Sequence, residues 1–151
     1  MSPHALFTII IKSLRELNLS YGRFSDKGLK LLASLPVLER LEVVNTPTTD
    51  QGIEPLASMK TLRSLKLDYT KVTDKALGSL SQLPNLRELS LDYTSVTDQG
   101  TEILSSLSTL RSLDLYHTPV SKDAYERLKT SLPQCRISYD EDSGSRVRRR
   151  Q

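Results

Sequence analysis

The feature that most constrains this chain is a period of 24 residues. The segment Leu14-Arg15-Glu16-Leu17-Asn18-Leu19 returns as Leu38-Glu39-Arg40-Leu41-Glu42-Val43 and as Leu62-Arg63-Ser64-Leu65-Lys66-Leu67. It returns again as Leu86-Arg87-Glu88-Leu89-Ser90-Leu91 and Leu110-Arg111-Ser112-Leu113-Asp114-Leu115. A unit this short cannot bury an apolar face alone, so the copies must stack and share one core. The leucines within each segment predict a short strand with positions one, four and six inward and three, five and seven outward.

The second half of each unit keeps the same step. Ser25, Thr49, Thr73, Thr97 and Ser121 each lie eleven residues after the first leucine, and Asp26, Asp50, Asp74, Asp98 and Lys122 follow them. A hydroxyl there can cap a helix, and an aspartate next to it suits the positive helix end. Three residues past each cap stands Gly28, Gly52, Ala76, Gly100 or Ala124, small enough for neighbouring coils to pack closely. Leu29/Leu32/Leu35, Ile53/Leu56/Met59 and Leu77/Leu80/Leu83 then define one helical face. Pro36, Pro84 and Pro133 end the helices. Pro55 removes a helical N–H six residues after its cap, so the second helix is expected to be short or 3₁₀-like.

Together these segments spell L-x-x-L-x-L-x-x-T-x-V-T-D-x-G-L, which resembles the leucine-rich-repeat family over residues 12–137. Thr46, Thr70, Thr94 and Thr118, with Gly22 in the first copy, stand where the family has Asn or Cys. Their hydroxyls can still bond loop backbone. The T-D-x-G-L half is similar to repeats in the substrate-binding part of F-box proteins. It is still more similar to repeats of planctomycete-type bacteria, which often close on a segment like Leu132-Pro133-Gln134-Cys135-Arg136-Ile137. The resemblance implies an α/β fold: a right-handed solenoid with a parallel sheet on its concave face and short helices on its convex face.

The chain divides at this level into residues 1–13, an N-terminal cap or truncated repeat; 14–137, five repeats with a capping strand; and 138–151, a charged tail expected to be disordered. Ala5–Ile11 stands where a preceding helix would lie, although Thr8-Ile9-Ile10-Ile11 is more strand-like. The C-terminal helix is one residue longer, which sets Cys135 in an inward leucine position as a buried capping thiol.

Charge and composition exclude several function classes. The tail holds four arginines against three acids and the remainder 17 basic against 15 acidic residues, so the formal +3 marks no basic face for nucleic acid. One cysteine excludes a disulfide framework and fits a reducing, cytoplasmic setting. The run Ala5–Ile11 is too short to span a bilayer and lacks signal-peptide features. His117 and the carboxylates face an open sheet without loop insertions, so no enzyme activity, cofactor or metal is expected.

Stacking turns equivalent positions into columns. Position five reads Asn18, Glu42, Lys66, Ser90, Asp114; position seven reads Ser20, Val44, Asp68, Asp92, Tyr116; position eight reads Tyr21, Asn45, Tyr69, Tyr93, His117. Lys66, Asp68, Tyr69, Ser90, Asp92, Tyr93, Asp114, Tyr116 and His117 form the expected protein-binding surface. The competing explanation is simple duplication of Leu-Asp-Tyr-Thr at 67–70 and 91–94. Arg15, Arg63, Arg87 and Arg111 make a further column, broken by Glu39 and expected to pair with nearby carboxylates. The function expected is a non-enzymatic protein-binding module, monomeric or joined end to end as a dimer. The alternatives are the recognition part of a larger F-box-like or multidomain assembly, or a repeat fragment with a structural role.

Overall fold

The computed structural model describes residues 12–141. Strands β1 (Glu16–Asn18), β2 (Arg40–Glu42), β3 (Ser64–Lys66), β4 (Glu88–Ser90), β5 (Ser112–Asp114) and β6 (Arg136–Ser138) form one parallel sheet in sequence order. Each pairs with the next at its repeat-equivalent residue: Leu17 on Leu41, Leu41 on Leu65, Leu65 on Leu89, Leu89 on Leu113, Leu113 on Ile137. Between the strands run α1 (Asp26–Leu32), α2 (Asp50–Ile53), α3 (Asp74–Leu80), α4 (Asp98–Leu104) and α5 (Lys122–Ser131). Helix α2 lasts four residues and gives way to a 3₁₀ turn over Glu54–Ser58, as Pro55 requires. The molecule is an α/β solenoid of one strand and one helix per coil.

The core is the ribbon of leucines that the period builds. Leu41, Leu65, Leu89 and Leu113 are at most 2% exposed, as are their partners at the first and sixth repeat positions from Leu38 to Leu115. Burying a leucine contributes about 1.5–3 kcal/mol, so this stack supplies most of the driving force for folding. The first coil contributes less: Leu14, Leu17 and Leu19 are only partly buried, and Leu31 lies 74% exposed on α1.

Two polar ladders run beside that ribbon. In the first, Thr46, Thr70, Thr94 and Thr118 are buried and donate Oγ1 to the carbonyls of Val43, Leu67, Leu91 and Leu115 at 2.6–2.7 Å. This closes the turns that follow β2, β3, β4 and β5 without an asparagine. In the second, Asp26, Asp50, Asp74 and Asp98 each accept two bonds from the next coil's cap residue. The donors are the backbone N–H and hydroxyl of Thr49, Thr73, Thr97 and Ser121, at 2.6–2.9 Å. These aspartates therefore staple coil to coil, a role beyond the helix-end complement expected of them. The closeness of that staple accounts for two of the small residues, Gly52 and Gly100. A Cβ on Gly52 would sit 2.4 Å from Asp26 Oδ1, and one on Gly100 2.3 Å from Asp74 Oδ1.

The caps themselves hold in four coils of the five. Thr49, Thr73 and Thr97 accept from the second helical N–H and Ser121 from that of Ala124, whereas Ser25 makes no side-chain cap bond. The C-terminal end also differs from expectation. Ser138 is the last residue of β6 rather than the head of a loose tail, and Tyr139 stacks on Tyr125 with centroids 4.5 Å apart. Tyr139 also donates to the carbonyl of Val120, and Lys122 pairs with Glu141 at 2.8 Å. Cys135 is half-buried, not fully enclosed, because β6 is the outer strand and no further coil lies over it among the described residues. Burial still pushes its thiol pKa up, against the opposing charge of Arg111. The proposed N-terminal cap at Ala5–Ile11 and the arginine-rich segment 142–151 lie outside the described residues.

Candidate functional site: an aromatic ladder on the sheet face

The strands are only three residues long, but the inter-coil hydrogen bonding continues beyond them. The backbone N–H of Tyr21, Asn45, Tyr69 and Tyr93 donates to the carbonyl of Val44, Asp68, Asp92 and Tyr116 in turn, at 2.8–3.2 Å. Immediately afterwards the chain must leave the sheet for its helix. Turns with an i-to-i+3 bond make that change of direction: Leu19 to Gly22, Leu91 to Thr94 and Leu115 to Thr118. The third residue of the turn then falls at φ between 49° and 62° in Tyr21, Asn45, Tyr69, Tyr93 and His117. That left-handed region favours Gly and Asn and costs other residues about 1–2 kcal/mol. Only Asn45 is the residue the backbone would choose.

The repeated turn gives its third residues one common direction. Tyr69 and Tyr93 stack with centroids 4.5 Å apart and planes 15° off parallel, and the His117 ring lies 4.1 Å from that of Tyr93. Tyr116 meets His117 edge-on at 5.4 Å. The ladder remains open to solvent, with Tyr69, Tyr93 and Tyr116 exposed by 50, 48 and 43%. Stacking recovers about 0.5–1.5 kcal/mol per pair, of the same order as the backbone strain.

Carboxylates flank the rings. Asp92 Oδ1 lies 2.9 Å from His117 Nδ1; an ionised carboxylate only accepts, so Nδ1 carries the proton. Asp68 Oδ1 accepts from the Ser90 hydroxyl and, at 3.0 Å, from the Asp92 backbone N–H. Half-burial raises the Asp68 pKa above its ordinary 3.8, and the charges of Asp92 and Asp114 add to that. The Ser90 and Asp92 hydrogen bonds oppose the shift. Asp114 Oδ1 accepts from the Tyr116 backbone N–H at 2.9 Å. Lys66 is held by Glu42 at 2.8 Å, a hydrogen bond that raises the ammonium pKa. The nine residues singled out from sequence thus share one face of the third to fifth coils; eight are bonded or stacked with one another, and Lys66 is held by Glu42 of the second coil.

The arginine column forms the opposite rim. Arg15 and Arg63 both pair with Glu39, and Arg111 donates to the carbonyls of Ser108 and Leu110. Sequence reasoning missed two things here: the left-handed backbone and the inter-coil aspartates. A signal existed for each. Asn45 in the tyrosine column marked a position tolerant of φ > 0, and the aspartates keep the same 24-residue step as the cap hydroxyls they bond.

Among the described residues no group of three or more His, Cys, Asp or Glu is placed to hold a metal, and no helix is long and apolar enough to cross a membrane. The His117–Asp92 pair resembles the base and orienter of a hydrolase. However, the imidazole lies between the Tyr93 face and the Tyr116 edge on an open surface. That arrangement fixes the ring and excludes no water.

Residues 11–33 match the signature of the family described as Leucine Rich repeat. Among curated proteins no match is found. Among solved structures, the chain is similar to leiomodin-1 actin-binding site 2 at a TM-score of 0.70 and 18% identity, covering 100% of this chain and 96% of that one. An internalin of Listeria monocytogenes gives a TM-score of 0.59 at 24% identity, covering 89% of this chain and 46% of that one. A leucine-rich-repeat protein of Leptospira interrogans gives 0.60 at 23%, covering 91% and 40%. The chain thus spans less than half the length of either bacterial structure. At these identities the likeness concerns the fold, and it is the leucine-rich-repeat fold.

Proposed function

We propose that this leucine-rich-repeat solenoid is a non-enzymatic protein-binding module whose sheet face, around Asp68, Tyr69, Asp92 and Tyr93, is the binding surface. One observation carries the reading: tyrosines occupy positions where the backbone favours Asn or Gly, and they remain half-exposed there. Bulky residues held in a left-handed conformation concentrate at functional sites. Their stacking makes the surface rigid before a partner arrives, which lowers the entropy cost of binding. Lys66, Ser90, Asp114, Tyr116 and His117 extend the surface along the same coils.

Leucine-rich-repeat domains commonly bind proteins, and the structurally similar leiomodin module is named for its actin-binding site. Those names support a binding role for a solenoid of this size and do not specify the partner. The reading places a single, unpaired cysteine in the cytoplasm and requires neither cofactor nor metal.

The test is affinity capture from lysate with the wild type and with a Tyr69→Asn/Tyr93→Asn variant. Asparagine suits the left-handed turn, so the variant keeps its fold by circular dichroism while losing the rings. A partner held by the wild type and lost by the variant is the expected result. Identical capture by both would sink the proposal and move attention to the helical side.

A further inference from the structure

The charge around the ladder is one-sided, and this specifies the partner's chemistry. Columns five, seven and eight contain the carboxylates Glu42, Asp68, Asp92 and Asp114 against one ammonium, Lys66, which Glu42 already holds. Each of Asp68, Asp92 and Asp114 is fixed in place through Oδ1, by Ser90 and Asp92 N–H, by His117, and by Tyr116 N–H respectively. Oδ2 is then the oxygen that an incoming donor would meet. The arginines lie at the other rim, Arg63 and Arg87 five residues before Asp68 and Asp92 and Arg111 three before Asp114, and so add no positive charge to columns five, seven and eight.

Resting on the reading of the sheet face as the binding surface, we infer that its occupant is an extended, Lys/Arg-rich segment of another protein, lying across β3 to β5. Tyr93, the central ring, is stacked on both faces by Tyr69 and His117, so a cation cannot sit over it. Aromatic edges carry the positive end of the ring quadrupole. The cationic heads therefore go to the carboxylates and the methylene stems lie along the ring edges, as long basic side chains do on apolar surface. Neighbouring strands are about 4.8 Å apart and Asp114 stands two positions earlier in its repeat than Asp68, so the two are separated by roughly 12 Å, the span of three to four extended residues. Two basic residues with two or three others between them would reach both carboxylates.

The Asp68 carboxylate gives this complementarity an energetic reason. Desolvation and the like charges of Asp92 and Asp114 both disfavour its ionised form, and an arriving cation relieves the charge repulsion directly.

The experiment is selection of random displayed peptides on the immobilised full chain, followed by fluorescence anisotropy of the winning peptides. The expected result is enrichment of Lys and Arg, with binding about tenfold weaker to an Asp68→Asn/Asp92→Asn/Asp114→Asn variant and a steep loss at high salt. Asparagine keeps the acceptor oxygens that hold this surface together. Should the triple variant misfold, Asp114→Asn alone, with about a two- to threefold loss, is the substitute. A Glu54→Gln/Glu102→Gln/Glu126→Gln variant on the helical side should bind as the wild type does. Winners without basic enrichment that are lost by the Tyr69→Asn/Tyr93→Asn variant would overturn this inference and leave the sheet-face reading standing. Winners that bind both the tyrosine and the triple aspartate variants undiminished would overturn both. Acidic winners, or no winners, would overturn the basic-segment inference.

Discussion

Removing the Asp74 carboxylate separates the two accounts of the aspartate column. If Asp74 merely complements a helix end, Asp74→Ala costs about 0.3–1 kcal/mol. The structure demands more. Asp74 Oδ1 accepts the Thr97 N–H at 2.8 Å and Oδ2 the Thr97 hydroxyl at 2.6 Å, so alanine deletes both bonds between the third and fourth coils. Bonds to a charged acceptor contribute about 1.5–3 kcal/mol each, and partial water access at this half-buried position returns some of that. The expected loss is about 2–4 kcal/mol, a large part of a domain's usual stability. Asp74→Asn can still accept from the N–H and donate to the hydroxyl, so it should cost about 1 kcal/mol. Urea unfolding followed by circular dichroism measures both, with Asp123→Ala on the exposed start of α5 as the reference. Because coils interact only with neighbours, a break in the middle of the array should also lower the urea m-value as the two halves uncouple. An Asp74→Ala loss no greater than that of Asp123→Ala would refute the staple.

Three further outcomes are expected. Tyr93→Gly trades two ring stacks of about 0.5–1.5 kcal/mol each for relief of about 1–2 kcal/mol of left-handed strain. Thermal unfolding should therefore change little while partner capture fails; a large loss of stability would make the tyrosine a structural residue. Thr94→Val removes the buried donor to the Leu91 carbonyl, which keeps its bond from the Thr94 N–H, and should cost about 1 kcal/mol in urea. Asp68 binds its proton more tightly folded than unfolded, so its contribution favours the fold below pH 3.8 and is lost as pH rises through the raised folded value. Asp68→Asn should gain stability relative to the wild type at neutral pH and lose that advantage in acid; a difference independent of pH in urea titrations would contradict the burial argument.

The repeat determined the architecture because equivalent residues at a fixed step have equivalent environments once coils stack. Leu41, Leu65, Leu89 and Leu113 could be assigned to one buried row from spacing alone, and Pro55 marked the one irregular helix. The tyrosine column was legible as a column. Its backbone was not, since φ > 0 follows from a turn that must leave the sheet while its N–H still bonds the next strand. The link from Asp74 to Thr97 spans 23 residues and is local only in three dimensions, so reading along one coil assigns the carboxylate to its own helix. Cys135 shows the same limit from the other side. Its place in the period says leucine-like and buried, but enclosure requires a following coil, and β6 is the outer strand of the sheet. By itself the sequence determined which residues are equivalent, because equivalence is a property of spacing. Only the tertiary structure decided which equivalent residues touch across coils, because those contacts depend on how one coil is set against the next.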